Sequence, residues 1–273
     1  MLSIFFENLR RKSPLIHNIT NYITANDIAN ILLASGASTI MADDVNEVEE
    51  ITSLCDGLTI NTGTLNDRRA ESMFLAGKKA MNLKHKIVLD PVGAGSCEYR
   101  TRIIKDLVNE IKFDLIRGNI SEIKSLATGA KNTEGVDADK NNLKMQSDLD
   151  EIIEIAKKYS WETKSIIVIT GEIDILTDSK RVYLVKNGRR EMKKITGTGC
   201  QLSALITAFI SANQDYELEA AIAAVASMGI AGEIAWSLMN KGEGNASYRN
   251  RIIDAIYNMN GNILEKEARY EIR

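Results

Sequence analysis

The sequence Ile195-Thr196-Gly197-Thr198-Gly199-Cys200 runs directly into a mostly apolar stretch, Leu202 to Ala212, whose composition is typical of a buried helix. Its two glycines predict a tight turn with positive φ that lets the backbone approach a ligand closely. Unpaired N–H groups and the helix dipole at such a start attract phosphate. An ordinary turn before a buried helix explains the same residues about equally well, so the rest of the chain decides between the two interpretations.

Two common nucleotide-binding motifs are absent from the sequence. No Gly-x-x-x-x-Gly-Lys-Ser/Thr pattern occurs, which excludes a Walker-type phosphate loop. The dinucleotide fingerprint also fails, because Leu202 stands where its third glycine would lie. A phosphate site at this turn would therefore belong to a different α/β fold.

Upstream of the turn, short β-branched runs alternate with stretches whose apolar residues recur at helical spacing. This alternation predicts an α/β fold in which a mainly parallel sheet is flanked by helices. The predicted strands are Thr39–Met41, Gly57–Ile60, Lys86–Asp90, Asp114–Arg117 and Ser165–Thr170. The predicted helices are Ala25–Ala34, Val45–Leu54, Leu65–Asn82, Thr101–Ile111, Ile120–Thr128 and Leu149–Tyr159.

The pattern changes in the C-terminal part of the chain. Ile173–Thr177 and Arg181–Lys186 flank a polar turn and predict an antiparallel hairpin, and Glu191–Ile195 predicts a further strand. Only helices are expected after the glycine turn. The longest apolar run, Leu218–Met239, is interrupted by two glutamates, which favours a buried core helix over a membrane span. The polar segment Gly129–Ser147 predicts an excursion on the surface.

Composition narrows the class of protein. No linker-like segment divides the 273 residues, so we expect one domain spanning 1–273. A formal net charge of −3 makes nucleic acid or an anionic membrane surface an unfavourable partner. The 3 cysteines are widely spaced, which predicts reduced thiols and favours a cytoplasmic protein.

Polar residues follow several predicted strands, at the edge of the sheet where open α/β folds bind ligands. Asp90 suits magnesium or a phosphate-side water, although an Asx turn before the following proline explains it as well. Arg117 supplies a guanidinium for a polyphosphate, and Thr170 ends a third strand. Asn119 and Glu122 have the spacing of a capping box, which would also hold the glutamate near a cation and phosphates.

Three segments nearer the N-terminus offer further candidates. Asn21, Met41 and Gly63 lie in short polar or turn-rich stretches that precede predicted helices, and each could line a small-molecule pocket. Helix capping by Thr24 or Thr64, and a core position for Met41, are the simpler interpretations. The chain has only 2 histidines, which argues against a multi-histidine metal site.

Taken together and in order, these motifs resemble those of the hydroxyethylthiazole kinase family, the thiamine-salvage branch of the ribokinase-like kinases. The resemblance runs over nearly the whole chain. The motifs that carry it are Ser13-Pro14-Leu15-Ile16-His17 with Ile19-Thr20-Asn21, Met41-Ala42, Asn61-Thr62-Gly63-Thr64-Leu65, Asp90-Pro91-Val92-Gly93-Ala94-Gly95, Arg117-Gly118-Asn119 with Glu122, Ile169-Thr170-Gly171-Glu172, and Thr196-Gly197-Thr198-Gly199-Cys200.

The resemblance implies a three-layer ribokinase-like fold and the Mg²⁺- and ATP-dependent phosphorylation of the primary alcohol of 4-methyl-5-(2-hydroxyethyl)thiazole. It also implies a homotrimer with active sites at subunit interfaces, so that Asn21 can complete a neighbour's pocket. By this resemblance we assign the thiazole to Met41, Gly197, Asn21 and Gly63, ATP to Arg117, Thr170, Asn119 and Gly199, and the metal to Asp90 and Glu122.

Cys200 is the expected catalytic residue, in a positioning or weakly proton-accepting role. Most ribokinase-like enzymes have an aspartate base at the end of this turn, whereas thiazole kinases commonly have cysteine. Two alternatives stay open at this point. The first is another small-alcohol kinase, such as a hydroxymethylpyrimidine kinase, and the second is a cysteine-dependent acyl transferase with Cys200 as nucleophile and His17 as base.

Overall fold

A computed structural model describes residues 2–129 and 146–273. Its centre is a nine-stranded sheet with the strand order β2-β1-β3-β4-β5-β6-β7-β8-β9. The strands are β1 (Leu15–Ile19), β2 (Ser38–Met41), β3 (Gly57–Asn61), β4 (Lys86–Asp90), β5 (Leu115–Asn119), β6 (Ile166–Thr170), β7 (Asp174–Thr177), β8 (Val182–Val185) and β9 (Tyr270–Ile272).

Helices follow most of the strands. They are α1 (Ser3–Lys12), α2 (Ala25–Ser35), α3 (Val48–Leu54), α4 (Asp67–Leu83), α5 (Glu98–Glu110), α6 (Ile120–Thr128), α7 (Gln146–Thr163), α8 (Thr198–Ala212), α9 (Glu217–Ser237), α10 (Asn245–Asn258) and α11 (Gly261–Glu267), with a 3₁₀ helix at Arg190–Lys194. The predicted segment 129–147 falls mostly outside the described residues.

The sheet is parallel from β2 to β6 and antiparallel from β6 to β9. This confirms the predicted mainly parallel sheet with an antiparallel hairpin. The register aligns Asn61 with Asp90 on the neighbouring strands β3 and β4. It also aligns Asn119 with Thr170 on β5 and β6. Polar residues at the carboxyl ends of neighbouring strands are therefore side by side.

Helices cover both faces of the sheet and make three layers. Val88 of β4 packs in a core with residues of α1, α2, α8, α9 and α10, whereas its neighbour Leu89 packs in a second core with residues of α4, α5, α6 and α7. Successive strand residues point to opposite faces, so a strand covered on both sides needs a continuous apolar run. Ile87-Val88-Leu89 is such a run.

Three expectations about the strands are wrong or incomplete. Glu191–Ile195 is not a strand, because residues Arg190–Lys194 form a 3₁₀ helix without a buried residue. The place beside β8 is taken instead by β9 (Tyr270–Ile272), so the expectation of helices alone after the glycine turn is also wrong. Strand β1 (Leu15–Ile19) was not predicted, although it pairs with two parallel neighbours.

The long apolar helix α9 lies in the core, as its glutamates suggested. Within the described residues it is the one helix long and apolar enough to span a membrane by length and composition, and 83% of its apolar window is buried in the fold. Glu233 faces outward near its end and pairs with Arg269 at 2.5 Å. The prediction of a buried core helix is confirmed.

Candidate active site

The predicted glycine turn exists and opens α8. Gly197 is the N-cap residue with φ 89°, a left-handed conformation that favours glycine. The first hydrogen bond of the helix runs from Gln201 N to Gly197 O at 2.8 Å. The N–H groups of Thr198, Gly199 and Cys200 therefore have no acceptor within the helix and lie at its positive end. This is the geometry that binds phosphate.

Gly199 serves the turn differently from what the sequence suggested. Gly197 has a positive φ, but Gly199 is not among the described glycines that do. The prediction of a positive φ at Gly199 is therefore wrong. Glycine allows a close approach there, because a Cβ would lie 2.5 Å from Nη1 of Arg117 and the guanidinium would have to move. The helix start and the guanidinium are thus in direct contact, and both present positive charge to one place.

Arg117 crosses the carboxyl ends of three strands. Its Nη2 donates to Oγ1 of Thr170 at 2.6 Å, and its Nη1 lies 3.6 Å from Oδ1 of Asp90. The arginine side chain is 11% exposed, and its buried Nε has no hydrogen-bond partner within the described part of the chain. The structure therefore brings together Arg117, Thr170 and Asp90, as predicted from their strand-end positions.

Asp90 is a fully buried carboxylate at the tip of β4. Its Oδ2 accepts a hydrogen bond from Nδ2 of Asn61 at 2.7 Å, while Oδ1 has no hydrogen-bond donor among the described residues. Burial raises the pKa of Asp90, against the attraction of the nearby Arg117. A buried carboxylate oxygen without a donor is costly, and Nη1 of Arg117, at 3.6 Å, is too far for a hydrogen bond and offsets that cost only by its charge. A bound cation would lower the cost further.

Glu122 is held by two backbone N–H groups. Its Oε2 accepts from Asn119 N at 2.9 Å and its Oε1 accepts from Gly93 N at 2.9 Å, while Asn119 Oδ1 accepts from Glu122 N at 2.8 Å. The capping box is thus present. Burial, and then repulsion from Asp90, raise the pKa of Glu122 to about 7. The cap fixes this carboxyl beside a second one, so both interpretations of the motif are compatible.

The two carboxylates fit a magnesium ion that is completed by phosphates and water. Among the residues that the structure describes, no group of three or more His, Cys, Asp or Glu side chains could hold a metal. Mg²⁺ is commonly bound by one or two carboxylates together with substrate phosphates. Such an ion would relieve two features of the described site, which are the lack of a hydrogen-bond donor to Oδ1 of Asp90 and the mutual repulsion of Asp90 and Glu122.

Cys200 lies inside this cluster as a neutral thiol. Its Sγ accepts hydrogen bonds from Nδ2 of Asn61 at 3.2 Å and from Nδ2 of Asn21 at 3.3 Å. Burial, and then the negative charge of Asp90, raise the pKa of Cys200 to about 11. The thiol is therefore protonated at neutral pH, which opposes any role as a strong base or nucleophile.

The acyl-transferase alternative also fails on geometry. The two ring nitrogens of His17 lie 2.9 Å from Oγ1 of Thr52 and 2.9 Å from the carbonyl oxygen of Ala42, and the ring is buried. Burial lowers the pKa of His17. A base paired with Cys200 would need to be within hydrogen-bond distance of its sulfur, and His17 is occupied elsewhere.

The raised pKa of Cys200 gives a direct chemical prediction. We expect iodoacetamide at neutral pH to alkylate Cys200 at least about tenfold more slowly than the exposed Cys97, because alkylation requires the thiolate. The rate at Cys200 should rise with pH up to about 11. Peptide mass spectrometry over time measures both rates in one sample. Equal rates at the two cysteines would contradict a neutral, shielded Cys200.

Of the predicted thiazole-side residues, Asn21 and Gly63 are in contact and Met41 is not in the buried cluster. A Cβ on Gly63 would lie 2.8 Å from Cβ of Asn21, so the two loops touch only because residue 63 is glycine. Met41 lies at the carboxyl end of the edge strand β2, in register with Asn18, and is 38% exposed. Met41 is at the same carboxyl end of the sheet as the site, but its strand β2 lies three strands away from β4, which carries Asp90.

Asn61 is a central residue of the site that was not among the predicted site residues. Its Nδ2 donates to both Asp90 and Cys200, and its Oδ1 accepts from Gly63 N at 2.9 Å and from Asn21 Nδ2 at 3.2 Å. Its position at the tip of β3, next to Asp90 in register, is the sequence signal that could have identified it. Thr24 is not a side-chain cap of α2; it contacts Gly197 instead.

The layered sheet and the phosphate-binding geometry at the start of α8 are those expected of a small-molecule kinase of the ribokinase-like fold. The model of the hydroxyethylthiazole kinase family matches residues 6–262. A hydroxyethylthiazole kinase from Clostridium acetobutylicum is 55% identical over 271 residues, covering 99% of each chain. The chain belongs to the hydroxyethylthiazole kinase family.

Solved structures agree with this assignment. That of a hydroxyethylthiazole kinase protein from Pyrococcus horikoshii matches with a TM-score of 0.88 and 31% identity, covering 100% of this chain and 98% of the other. The pyridoxal kinase from Staphylococcus aureus, in complex with AMP-PCP and pyridoxal, has a TM-score of 0.64 and 15% identity, covering 95% and 97% of the two chains. At that identity the second likeness shows the common fold alone.

Proposed function

We propose that this chain phosphorylates the primary hydroxyl of 4-methyl-5-(2-hydroxyethyl)thiazole, with ATP as phosphate donor and Mg²⁺ as its metal. The observation that carries the proposal is the meeting of Arg117, Asp90 and the first turn of α8 at one end of the sheet. Membership of the thiazole kinase family supports the choice of alcohol.

The positive groups would hold the phosphates of ATP. The free N–H groups at the start of α8, Gly199 included, and the guanidinium of Arg117 face the same place, and Thr170 orients that guanidinium. Asn119 holds Glu122 by the cap and belongs to the same nucleotide side. Because phosphoryl transfer passes through a loose, highly charged transition state, such fixed donors supply most of the catalysis.

Asp90 and Glu122 would hold the magnesium ion, whose bound charge would offset the negative charge of the phosphates during transfer. Both carboxylates are fixed in advance, Asp90 by Asn61 and Glu122 by backbone N–H groups. Burial raises their pKa values. The same burial has already removed water from both carboxylates, so binding a cation costs them less hydration than it would cost exposed carboxylates. This is the protein's contribution to metal binding.

Cys200 and its amide neighbours would position the acceptor alcohol. A thiol with a pKa of about 11 does not remove the hydroxyl proton before transfer at neutral pH. A loose transition state does not require early deprotonation, so orientation is sufficient. Asn21, Gly63 and Gly197 border this space, and the exposed Met41 would contribute at its rim.

We also propose the homotrimer with active sites at subunit interfaces. Tyr22 and Ile23, directly after Asn21, are 64% and 74% exposed, and Met41 is 38% exposed on the edge strand. Large apolar side chains exposed beside a binding site are typical of a surface that another protein covers. Light scattering of the purified protein tests the mass of the assembly, and a monomer would contradict the proposal.

Replacing Arg117 with alanine should raise the KM for ATP by at least about tenfold, because a charged hydrogen-bond donor to phosphate is lost. Steady-state kinetics with varied ATP and saturating alcohol measures the effect. Arg102→Ala is a matched control, since that arginine is exposed on α5 and should leave the KM unchanged. A folded Arg117→Ala enzyme with the wild-type KM for ATP would remove Arg117 from the nucleotide site.

A substrate panel distinguishes the proposal from the hydroxymethylpyrimidine alternative. Purified protein with Mg-ATP is given hydroxyethylthiazole, hydroxymethylpyrimidine, pyridoxal or ribose, and ADP release is measured for each. We expect the largest kcat/KM with hydroxyethylthiazole. Preference for another alcohol would change the assigned substrate but not the assignment of the phosphate site. No turnover with any of the four alcohols would contradict the proposed function.

A further inference from the structure

Arg69 is a buried arginine on α4 that lies outside the phosphate site. It is 2% exposed, although arginine is rarely buried unless it is paired. Helix α4 begins two residues earlier, at Asp67, with Asn66 as a side-chain cap, so the arginine leaves the first turn of a well-defined helix. No sequence pattern points to this residue, since a charged side chain on a surface helix is ordinarily exposed.

Two loops are hydrogen-bonded to this one guanidinium, and a third is joined to it by an ion pair. Nη2 donates to the carbonyl oxygen of Thr20, and Nη1 donates to the carbonyl oxygens of Gly63 at 3.3 Å and Thr64 at 3.2 Å and to Oγ1 of Thr64 at 2.6 Å. Nε lies 3.1 Å from Oδ2 of Asp43. The loops that follow β1, β2 and β3 therefore share one partner.

Each of these loops carries or directly follows a residue of the proposed acceptor pocket. Thr20 directly precedes Asn21, Asp43 stands two positions after Met41, and Gly63 is itself a pocket residue. The loops after β1 and β3 are in tight contact at Gly63 and Asn21, where a Cβ on residue 63 would lie 2.8 Å from Cβ of Asn21, so the relative position of the two loops sets the shape of the proposed pocket. A single fork of donors with fixed geometry can hold such loops in one arrangement.

An aromatic ring completes the surroundings of the guanidinium. The ring of Tyr22 lies over Arg69, with 4.5 Å from Cζ to the ring centroid, and its hydroxyl donates to Oδ2 of Asp43 at 2.8 Å. The arginine, the aspartate and the tyrosine thus form a closed set in which each member contacts the other two. Tyr22 shields the ion pair from solvent on one side and follows Asn21 in the chain.

We propose that Arg69 is a positioning residue for the acceptor alcohol, holding the loops of Asn21, Met41 and Gly63 in the arrangement that binds it. This inference rests on the proposed function for the identity of the acceptor. No bond described above joins Arg69 to Arg117, Asp90 or Glu122. Its loss should therefore act on the alcohol and leave the nucleotide unaffected.

The test is whether Arg69→Ala raises the KM for the alcohol without changing the KM for ATP. We expect the KM for the alcohol to rise on the order of tenfold or more, since misplaced binding groups lose much of their effect, and the KM for ATP to stay within about twofold. Arg68→Ala is the matched control, because Arg68 is the preceding residue and its side chain is 63% exposed. That variant should change neither constant.

Chemical rescue separates positioning from general damage. Removing the side chain leaves a guanidinium-sized space beneath Tyr22, so millimolar guanidinium should lower the alcohol KM of Arg69→Ala toward the wild-type value. Sodium chloride at the same ionic strength should not. Arg69→Lys, which keeps the charge without the fork, serves if the alanine variant does not fold, and it should also raise the alcohol KM.

A folded variant with the wild-type alcohol KM, or an equal rise in both Michaelis constants, would overturn the inference. Amide hydrogen exchange of residues 20–24 and 62–66 gives a readout that does not need turnover, and we expect faster exchange there in Arg69→Ala. If the wild-type protein does not phosphorylate the alcohol, the proposed function fails, and unchanged exchange in these segments would overturn the role of Arg69 separately.

Discussion

Replacing Gly197 with valine should lower kcat by at least about a thousandfold, through loss of several phosphate donors at once. Gly197 has φ 89°, which a β-branched residue rarely adopts. A Cβ there would lie 2.4 Å from Cγ2 of Thr24 and 3.0 Å from its Cβ, so either the turn or the start of α2 must move. The N–H groups that follow Gly197 would then no longer point at the phosphates.

The measurement is single-turnover phosphoryl transfer by the folded variant, with circular dichroism and the size of the assembly as checks of folding. Gly242→Val is a matched control, since Gly242 has φ 94° but a Cβ there would meet nothing within 4 Å. That variant has the same backbone strain and should keep nearly full activity. Wild-type kcat in a folded Gly197→Val protein would show that this turn does not bind the phosphate.

Asp90→Asn is the second change for which we expect a large loss, of about a hundredfold to a thousandfold in kcat. The substitution keeps the shape of a side chain that is fully buried, but it removes the charge that faces Arg117 and the proposed metal. Folding should survive, because burial already raises the pKa of Asp90 and a neutral group is less costly there. The predicted loss is therefore one of catalysis rather than of structure.

Steady-state kinetics with varied Mg²⁺ measures this loss and shows whether the apparent magnesium requirement increases with it. Asp114→Asn is the control, since Asp114 lies just before β5, at the amino end of the parallel strands and away from the site. There it accepts a hydrogen bond from Ile87 N at 2.8 Å and pairs with Lys86 at 3.3 Å. We expect that control to lose stability but not kcat. An Asp90→Asn enzyme with wild-type kcat and magnesium dependence would contradict our assignment of Asp90.

The central sheet was predictable because buried parallel strands need uninterrupted β-branched and leucine runs, as in Ile87-Val88-Leu89. Strand β1 was harder to recognise, since its sequence Leu15-Ile16-His17-Asn18-Ile19 contains two polar residues, both of which are buried with hydrogen bonds. The strand predicted at Glu191–Ile195 failed for a long-range reason. The chain terminus occupies the edge beside β8, and short-range patterns do not reveal that pairing.

The site residues likewise fall into two groups. Local sequence patterns predict some of them, and the others depend on contacts between distant parts of the chain. Asp90, Arg117 and Thr170 were predictable, because strand-end position in a parallel sheet is enough to bring them together. Arg69 was not, because its partners Thr20 and Asp43 come from loops far away in the chain. The positions at which strands end can be predicted from the sequence. Side chains that hold distant loops together cannot, because their partners are far away in the chain.

The most direct test of the account is to incubate the purified protein with Mg-ATP and hydroxyethylthiazole and to identify the products by mass spectrometry. We expect the thiazole alcohol phosphate and ADP in equal amounts with the wild-type protein, and a small fraction of both with Asp90→Asn. ADP without thiazole phosphate, or equal product from the two proteins, would contradict the claim that this strand-end site transfers phosphate to the thiazole alcohol.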